Sequence, residues 1–118
     1  MGENNTSARS PVISIFGGSR YLSGTREYEE TIELGRLLAT DGFRILTGGY
    51  FGLMEAASRG ADEAGGLVAA VTHAPWGPPN KYVGDYKTAP SLFAGLEALV
   101  LDVDGFVAMR GGMGRLRR

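Results

Sequence analysis

The sequence predicts an α/β protein with a Rossmann-like, three-layer α/β/α fold built on a parallel sheet. Apolar runs of strand length alternate with segments whose apolar residues recur at helical spacing. Glycine supplies 19 of the 118 residues, about twice the usual share of roughly 7%, and the excess lies at turns. Three of these turns follow predicted strands. Because the carboxyl ends of parallel strands meet at one edge of a sheet, we expect the three turns to lie together, where such folds bind ligands.

The first predicted strand is Val12–Phe16 (VISIF), and a turn with two glycines, a hydroxyl and a cation follows at residues 17–20. A helix is predicted over about residues 25–40, because its apolar residues share one face. Acidic residues in its early turn suit the positive end of the helix dipole. Asp41 and Gly42 are predicted to end the helix.

The second unit contains the most informative segment, GGYFGLMEAASRGADEAGG at residues 48–66. Phe43, Ile45 and Leu46 precede it and residues 67–72 follow it, so it is predicted to form the turn and helix of a βαβ unit. Glycines at such a turn leave backbone N–H groups free to face a ligand, and the first helical turn adds unpaired donors that favour an anion. The alternative is a tight turn with close helix–strand packing. This segment alone does not separate the two.

The third unit begins with residues 73–90, where four prolines and several aromatic residues predict a long loop at the ligand-binding edge. Ser91 is predicted to cap a helix whose apolar residues recur from Leu92 to Val103. Residues 105–109 form the predicted fourth strand. That strand leads into the third glycine turn, at Gly111, Gly112 and Gly114.

Composition limits the protein class. The chain has no cysteine, its net charge is −1, and no apolar run approaches the length of a membrane span. We therefore expect a cytoplasmic protein with residues 1–10 as a flexible tail and residues 11–118 as one domain. Four arginines fall in the last nine residues, and we expect them to be solvated rather than to bind nucleic acid. No cofactor, metal or membrane partner is expected.

These residues resemble the LOG (lonely guy) family over residues 12–116. The resemblance rests on the segment at residues 48–66, the strand and turn ending in FGGSR before it, and the Pro-rich loop and MRGGMG after it. The best known members are cytokinin riboside 5′-monophosphate phosphoribohydrolases, once labelled lysine decarboxylases. The resemblance implies a Rossmann-like nucleotide-binding protein that forms a homodimer or larger oligomer. A pyridoxal-phosphate decarboxylase would need a pocket lysine, whereas Lys81 and Lys87 both fall in the predicted loop.

The chain departs from the family's second signature, PGGxGTxxE. Arg110 stands at the Pro position, Arg115 at the Thr position and Arg118 at the Glu position, and Gly95 stands where the family has a catalytic Arg. A carboxylate stabilises the oxocarbenium-like transition state of N-glycosidic cleavage, and an arginine has the opposite charge. We therefore expect no catalytic residue. Relative to the family, we also expect a fold truncated at its C-terminus.

The sequence is thus interpreted as a LOG-like nucleotide-binding protein, related to hydrolases that release free base and ribose 5-phosphate. The alternatives are a non-catalytic carrier of a nucleotide or phosphorylated cofactor, such as the molybdenum-cofactor carriers that share this fold, and a degenerate assembly subunit. The ligand is expected to be a nucleoside monophosphate or a similar phosphorylated small molecule. The predicted binding residues are Gly17, Gly18, Ser19, Arg20, Gly48, Gly49, Gly52, Met54, Glu55, Asn80, Gly111, Gly112 and Gly114.

Other candidate residues have competing interpretations. His73 is expected to be structural, because a lone histidine at a strand end is more often so. Glu55 either binds a ribose hydroxyl or simply favours the positive helix end. Trp76 and Tyr82 either stack on a base or anchor the loop.

Overall fold

The computed structural model describes residues 10–109. It contains five parallel strands in the order β4-β3-β2-β1-β5, which confirms the predicted Rossmann-like α/β fold. In chain order the elements are β1 (Val12–Phe16), α1 (Arg26–Thr40), β2 (Arg44–Thr47), α2 (Leu53–Glu63), β3 (Val68–His73), a 3-10 turn (Ala74–Trp76), β4 (Asp85–Ala89), α3 (Leu92–Leu101) and β5 (Gly105–Ala108).

The main core lies between the sheet and the helices α1 and α2. Ile15, Ile45 and Val68 point from the three central strands into a cluster with Ala57 and Ala61 of α2. The alternating residues of the same strands face the opposite side, where α3 crosses the sheet between β4 and β5. The strand order reverses beside β1, since the chain leaves it toward β2 on one side and β5 pairs with it on the other. In parallel α/β sheets, this is the point where ligands bind.

The backbones of helices α1 and α2 are in close contact at two glycine residues, Gly35 and Gly60. A Cβ atom on Gly35 would overlap the backbone carbonyl of Ala57, and one on Gly60 would overlap the carbonyl of Ile32. The small residues Ala57 and Ala61 of α2 let that helix lie close to the sheet. The two glycines let the helical backbones touch, which fixes α2 and therefore the glycine turn that precedes it.

One prediction for residues 73–90 was wrong, because this segment contains the strand β4 as well as loop. The strand's sequence, DYKTA, has no apolar run, and most of its side chains are exposed. It lies at the edge of the sheet, where a strand needs neither two buried faces nor apolar side chains. A lysine on such a strand also discourages pairing with a strand from another molecule. The sheet therefore has five strands, and residues 105–108 form the fifth rather than the fourth.

The third helix is shorter than its apolar spacing predicted, since it ends at Leu101 with Asp102 as its C-cap. Ser91 caps its start as predicted and accepts a hydrogen bond from the N–H of Ala94 at 3.0 Å. Asp104 joins the following turn to β1: its carboxylate accepts a hydrogen bond from the Val12 N–H at 2.7 Å. That carboxylate is structural.

Much of α3 is not covered by the described residues. Glu97 is its one charged residue, and a helix that is apolar on all sides is usually buried. Yet Phe93 is 73% exposed, Leu101 68% and Leu96 42%, and Phe106 of the adjacent strand β5 is also exposed. Among residues 10–109, no helix is both long enough and apolar enough to cross a membrane.

Replacement of glycine by alanine should have different effects on stability at Gly60 and Gly95, because only Gly60 lies in the contact between α1 and α2. Gly60→Ala should lower the free energy of unfolding by about 1–3 kcal/mol, because the new methyl group forces two backbones apart. Gly95→Ala should leave stability unchanged or raise it by up to about 1 kcal/mol, because its Cβ would lie 3.5 Å from the nearest atom and alanine favours a helix. Denaturant unfolding of both variants checks this. Equal stability of Gly60→Ala and the parent would contradict the packing described here.

Candidate functional site

Two glycine turns meet at the carboxyl edge of the sheet. The N–H of Leu53, the first residue of α2, donates to the carbonyl of Gly18 in the turn after β1, at 3.0 Å. Gly52 has φ +70°, and a Cβ atom there would overlap that same carbonyl. A Cβ on Gly17 would likewise overlap the side chain of Leu53. Glycine is therefore required at this crossing for both conformation and close approach.

The start of α2 offers hydrogen-bond donors beside this crossing. The Leu53 N–H is already paired, but the N–H groups of Met54 and Glu55 have no acceptor among residues 10–109. Unpaired N–H groups and the helix dipole together favour an anion at this position. This geometry fits the anion-binding interpretation of the segment. The tight packing of its glycines is the close helix–strand approach of the alternative interpretation, and anion binding stays a prediction.

A cavity of about 420 Å³ opens between these turns and α3. This volume lies within the range of about 300–1,000 Å³ that is usual for small-molecule sites. None of the described residues that line it is charged, and most are apolar. They are Ile15, Phe16, Gly17, Gly18, Ser19, Gly48, Tyr50, Met54, Val71, Trp76, Leu92, Gly95, Leu96, Leu99 and Val100.

An aromatic cluster forms one wall of this cavity. The Tyr50 hydroxyl accepts a hydrogen bond from the His73 N–H at 2.8 Å and also lies 2.8 Å from the His73 carbonyl, to which it can donate. Trp76 meets the rings of Tyr50 and His73 edge-to-face, at centroid distances of 5.6 and 4.8 Å. These ring contacts hold Trp76 in place, and the side chain, still 59% exposed, lines the cavity.

Asn80 holds the second glycine turn in place. Its amide group donates to the carbonyls of Gly49 and Tyr50 at 3.1 and 2.6 Å, and its oxygen accepts from the N–H of Tyr82 at 3.0 Å. The side chain is 5% exposed. Gly49 itself has φ +86°, and its N–H donates to the Thr47 hydroxyl at 2.9 Å. Asn80 therefore fixes the backbone conformation of this turn through its hydrogen bonds.

The predicted binding residues fall into distinct groups. Arg20 stacks on Tyr21, with its guanidinium carbon 5.3 Å from the ring centroid. Neither Arg20 nor Glu55 lines the cavity. Gly49, Gly52 and Asn80 shape the turns. Direct ligand contact by any of them stays a prediction. Those that line the cavity are Gly17, Gly18, Ser19, Gly48 and Met54, and those outside the described residues are Gly111, Gly112 and Gly114.

Sequence reasoning missed the wall that α3 contributes. Leu92, Leu96 and Leu99 were recognised only as an apolar helix face, and Gly95 only as a departure from the family signature. The helix follows β4, and the crossover that lays it against β3, β4 and β5 depends on the strand order. No local motif at these residues indicates a ligand.

Charged groups lie behind α2 rather than in the cavity. Arg59 donates to Glu63 at 3.1 Å, and this hydrogen bond raises the pKa of the Arg59 guanidinium above its usual value. Burial raises the pKa of the Tyr28 hydroxyl, so it stays protonated at neutral pH. Across residues 10–109 no group of three or more histidine, aspartate or glutamate side chains could hold a metal ion.

A second cavity, of about 210 Å³, lies under α3 toward the amino ends of the strands. Its walls include Val12, Leu46 and Ala69, and the charged residues that line it are Arg44, Asp85, Lys87 and Asp102. It contains no glycine turn and no helix N-terminus. It is therefore a gap beneath a partly covered helix.

The five-stranded parallel sheet and its helices define a Rossmann-like α/β protein with a glycine-lined cavity at the carboxyl edge of the sheet. The chain belongs to the SLOG cluster4 family, whose model matches residues 10–89. No curated protein matches the sequence. The family assignment supports the resemblance to LOG-related proteins, and the matched region includes both glycine turns described here.

Solved structures show the same fold. The molybdenum cofactor carrier protein MCP from Chlamydomonas reinhardtii is 31% identical with a TM-score of 0.76, over 90% of this chain and 64% of that one. The molybdenum cofactor binding protein from Rippkaea orientalis is 28% identical with a TM-score of 0.77, over 86% and 63%. The protein TM1055 is 28% identical with a TM-score of 0.74, over 83% and 59%. The aligned part thus spans about three fifths of each of these structures.

The buried position of Asn80 predicts a pH-dependent cost for Asn80→Asp. The carboxylate would face two carbonyl oxygens that have lost their donors, so the free energy of unfolding should fall by about 1–3 kcal/mol at pH 7. Because burial raises the pKa of the new carboxyl group in the folded state, the loss should be smallest near pH 4 and grow as pH rises. Thermal unfolding against pH measures it. A pH-independent difference from the parent would contradict this account.

Proposed function

We propose that the protein binds a nucleoside monophosphate or a similar phosphorylated heterocycle at the carboxyl edge of its sheet, and that it does not hydrolyse it. The observation that carries this proposal is the 420 Å³ cavity, which has glycine turns at one end and an aromatic wall beside them. The unpaired N–H groups of Met54 and Glu55 suit a phosphate. Trp76 offers a surface for a heterocycle.

The solved structures support a phosphorylated cofactor as a ligand class alongside nucleotides. Two of the similar proteins are described as carrying or binding the molybdenum cofactor. A nucleotide and a phosphorylated heterocyclic cofactor both carry a phosphate ester and a heterocycle in one molecule. The same turn and wall would recognise both, so the proposal is made for this shared chemistry.

Binding without hydrolysis is favoured by the lining of the cavity. Cleavage of an N-glycosidic bond requires a carboxylate near the sugar to stabilise positive charge, and no described lining residue is acidic. Gly95 lines the cavity at the position where the LOG family has its arginine. A hydrolase of the LOG type remains the second candidate, on the strength of the family relationship.

The proposal predicts that AMP stabilises the protein. At a tenfold excess over Kd, native-state binding adds about 1.4 kcal/mol, which raises Tm by several degrees. Ser19 is exposed and lines the cavity, so Ser19→Asp should abolish this shift by repelling phosphate. Ser19→Asn, the neutral control, should keep most of it. Differential scanning fluorimetry compares the three proteins.

Two outcomes would contradict this proposal. One is the absence of any Tm shift with millimolar AMP, ribose 5-phosphate or phosphorylated molybdenum cofactor. The other is release of free adenine from AMP at a rate of about 1 per second or more, typical of an enzyme, which would favour the hydrolase instead.

We further propose that the protein assembles as a homodimer or larger homo-oligomer through α3. Its exposed apolar residues, together with the exposed Phe106 of β5, are the candidate contact surface. Exposed apolar patches commonly mark interfaces. A contact between two identical apolar surfaces requires no complementary charge.

This assembly predicts a monomer when a charge is placed on α3. Phe93 is exposed and does not line the cavity, so Phe93→Glu should reduce the oligomer to soluble monomer at tens of micromolar. Leu37→Glu is the control, because Leu37 is 54% exposed on α1, which packs on the other face of the sheet. Sedimentation velocity measures both. A parent protein that is already a well-folded monomer would overturn the assembly proposal.

A further inference from the structure

We infer that Gly95 keeps open an apolar compartment of the cavity, and that this compartment selects phosphorylated ligands whose distal group is uncharged and apolar. This inference rests on the proposed function, since it concerns the part of the ligand that lies beyond the phosphate. It names a specificity-determining residue and a ligand class.

The two ends of the cavity differ in chemistry. The end near the turns is formed by backbone at Gly17, Gly18 and Gly48, with the hydroxyl of Ser19. The end beneath α3 is formed by side chains without a single hydrogen-bonding group. They are Val71, Leu92, Leu96, Leu99 and Val100.

Such a wall distinguishes between ligands by the free energy of removing their distal groups from water. A charged or strongly polar group placed against it would lose its water and gain no partner, which is unfavourable. An apolar group of the same size would gain from removal of its surface from water. The compartment should therefore separate ligands that carry the same phosphate but differ at the far end.

Gly95 is the residue that sets the size of this compartment. It lies in the interior of α3, where glycine is disfavoured relative to alanine. A Cβ atom there would lie 3.5 Å from the Cβ of Ala89 and 3.8 Å from Cγ1 of Val71. A side chain at residue 95 is thus directed into the space between α3 and strands β3 and β4. Packing of the protein does not require glycine there, in contrast to Gly35 and Gly60, where a Cβ would strike backbone.

The test uses a series of simple phosphates: inorganic phosphate, phenyl phosphate, 1-naphthyl phosphate and 4-carboxyphenyl phosphate. The parent protein should bind 1-naphthyl phosphate at least about tenfold more tightly than inorganic phosphate, with phenyl phosphate between them. The 4-carboxyphenyl compound should bind no more tightly than inorganic phosphate. Trp76 is the only tryptophan, so its fluorescence reports occupancy of this cavity, and calorimetry gives the affinities.

Gly95→Leu should fill the compartment, so that the naphthyl preference falls to less than about twofold while affinity for inorganic phosphate is retained. Gly95→Ala, the control, adds only a methyl group and should keep most of the preference. Circular dichroism melts establish that both variants are folded.

The outcomes separate the two proposals. Equal affinity of the parent protein for all four phosphates would overturn the apolar compartment and leave phosphate binding intact. An undiminished naphthyl preference in Gly95→Leu would overturn the role of Gly95. Failure of every phosphate and of AMP to bind the parent would overturn the proposed function itself.

Discussion

The hydrogen bond from the Leu53 N–H to the Gly18 carbonyl joins the two glycine turns, and the geometry of the cavity depends on it. The bond can form only because Gly52 and Gly17 lack side chains at the crossing. It uses one donor of the first turn of α2 and leaves the N–H groups of Met54, which lines the cavity, and of Glu55, the next residue, without an acceptor among residues 10–109. A larger side chain at either glycine would separate the turns and remove the wall that they form together.

The two faces of the sheet are packed differently. Helices α1 and α2 pack closely on one face and hold the glycine turns, whereas α3 leaves cavities on the other face. Gly35 and Gly60 let α1 and α2 pack in backbone contact, which holds α2 and its N-terminus rigidly. On the opposite face, a Cβ atom on Gly95 of α3 would meet Ala89 and Val71 only at ordinary contact distance, and two cavities remain beneath the helix. The firmly packed face thus positions the donors. The cavity on the loosely packed face is where the proposed function places the remainder of the ligand.

Local pattern predicted much of this fold and less of the site. The strand VISIF and the turn that opens α2 were predictable because their signals, apolar runs and glycine position, are local. Strand β4 was not, because an edge strand satisfies its backbone on one side and can keep polar side chains such as Asp85 and Lys87. The α3 wall depends on strand order, which no short segment encodes. Asn80 was predicted to bind the ligand, which stays a prediction, and the three side-chain hydrogen bonds by which it holds the backbone of the turn could be known only from the fold.

The central claim is that a phosphate binds at the start of α2 with the rest of the ligand under α3. Backbone NMR during titration with AMP tests it most directly. The account predicts saturable shifts of the Met54 and Glu55 amide resonances together with the Trp76 indole, all with one Kd. Shifts confined to the other cavity, around Arg44 and Lys87, would contradict it, and so would a titration that left the amides of Met54 and Glu55 unchanged.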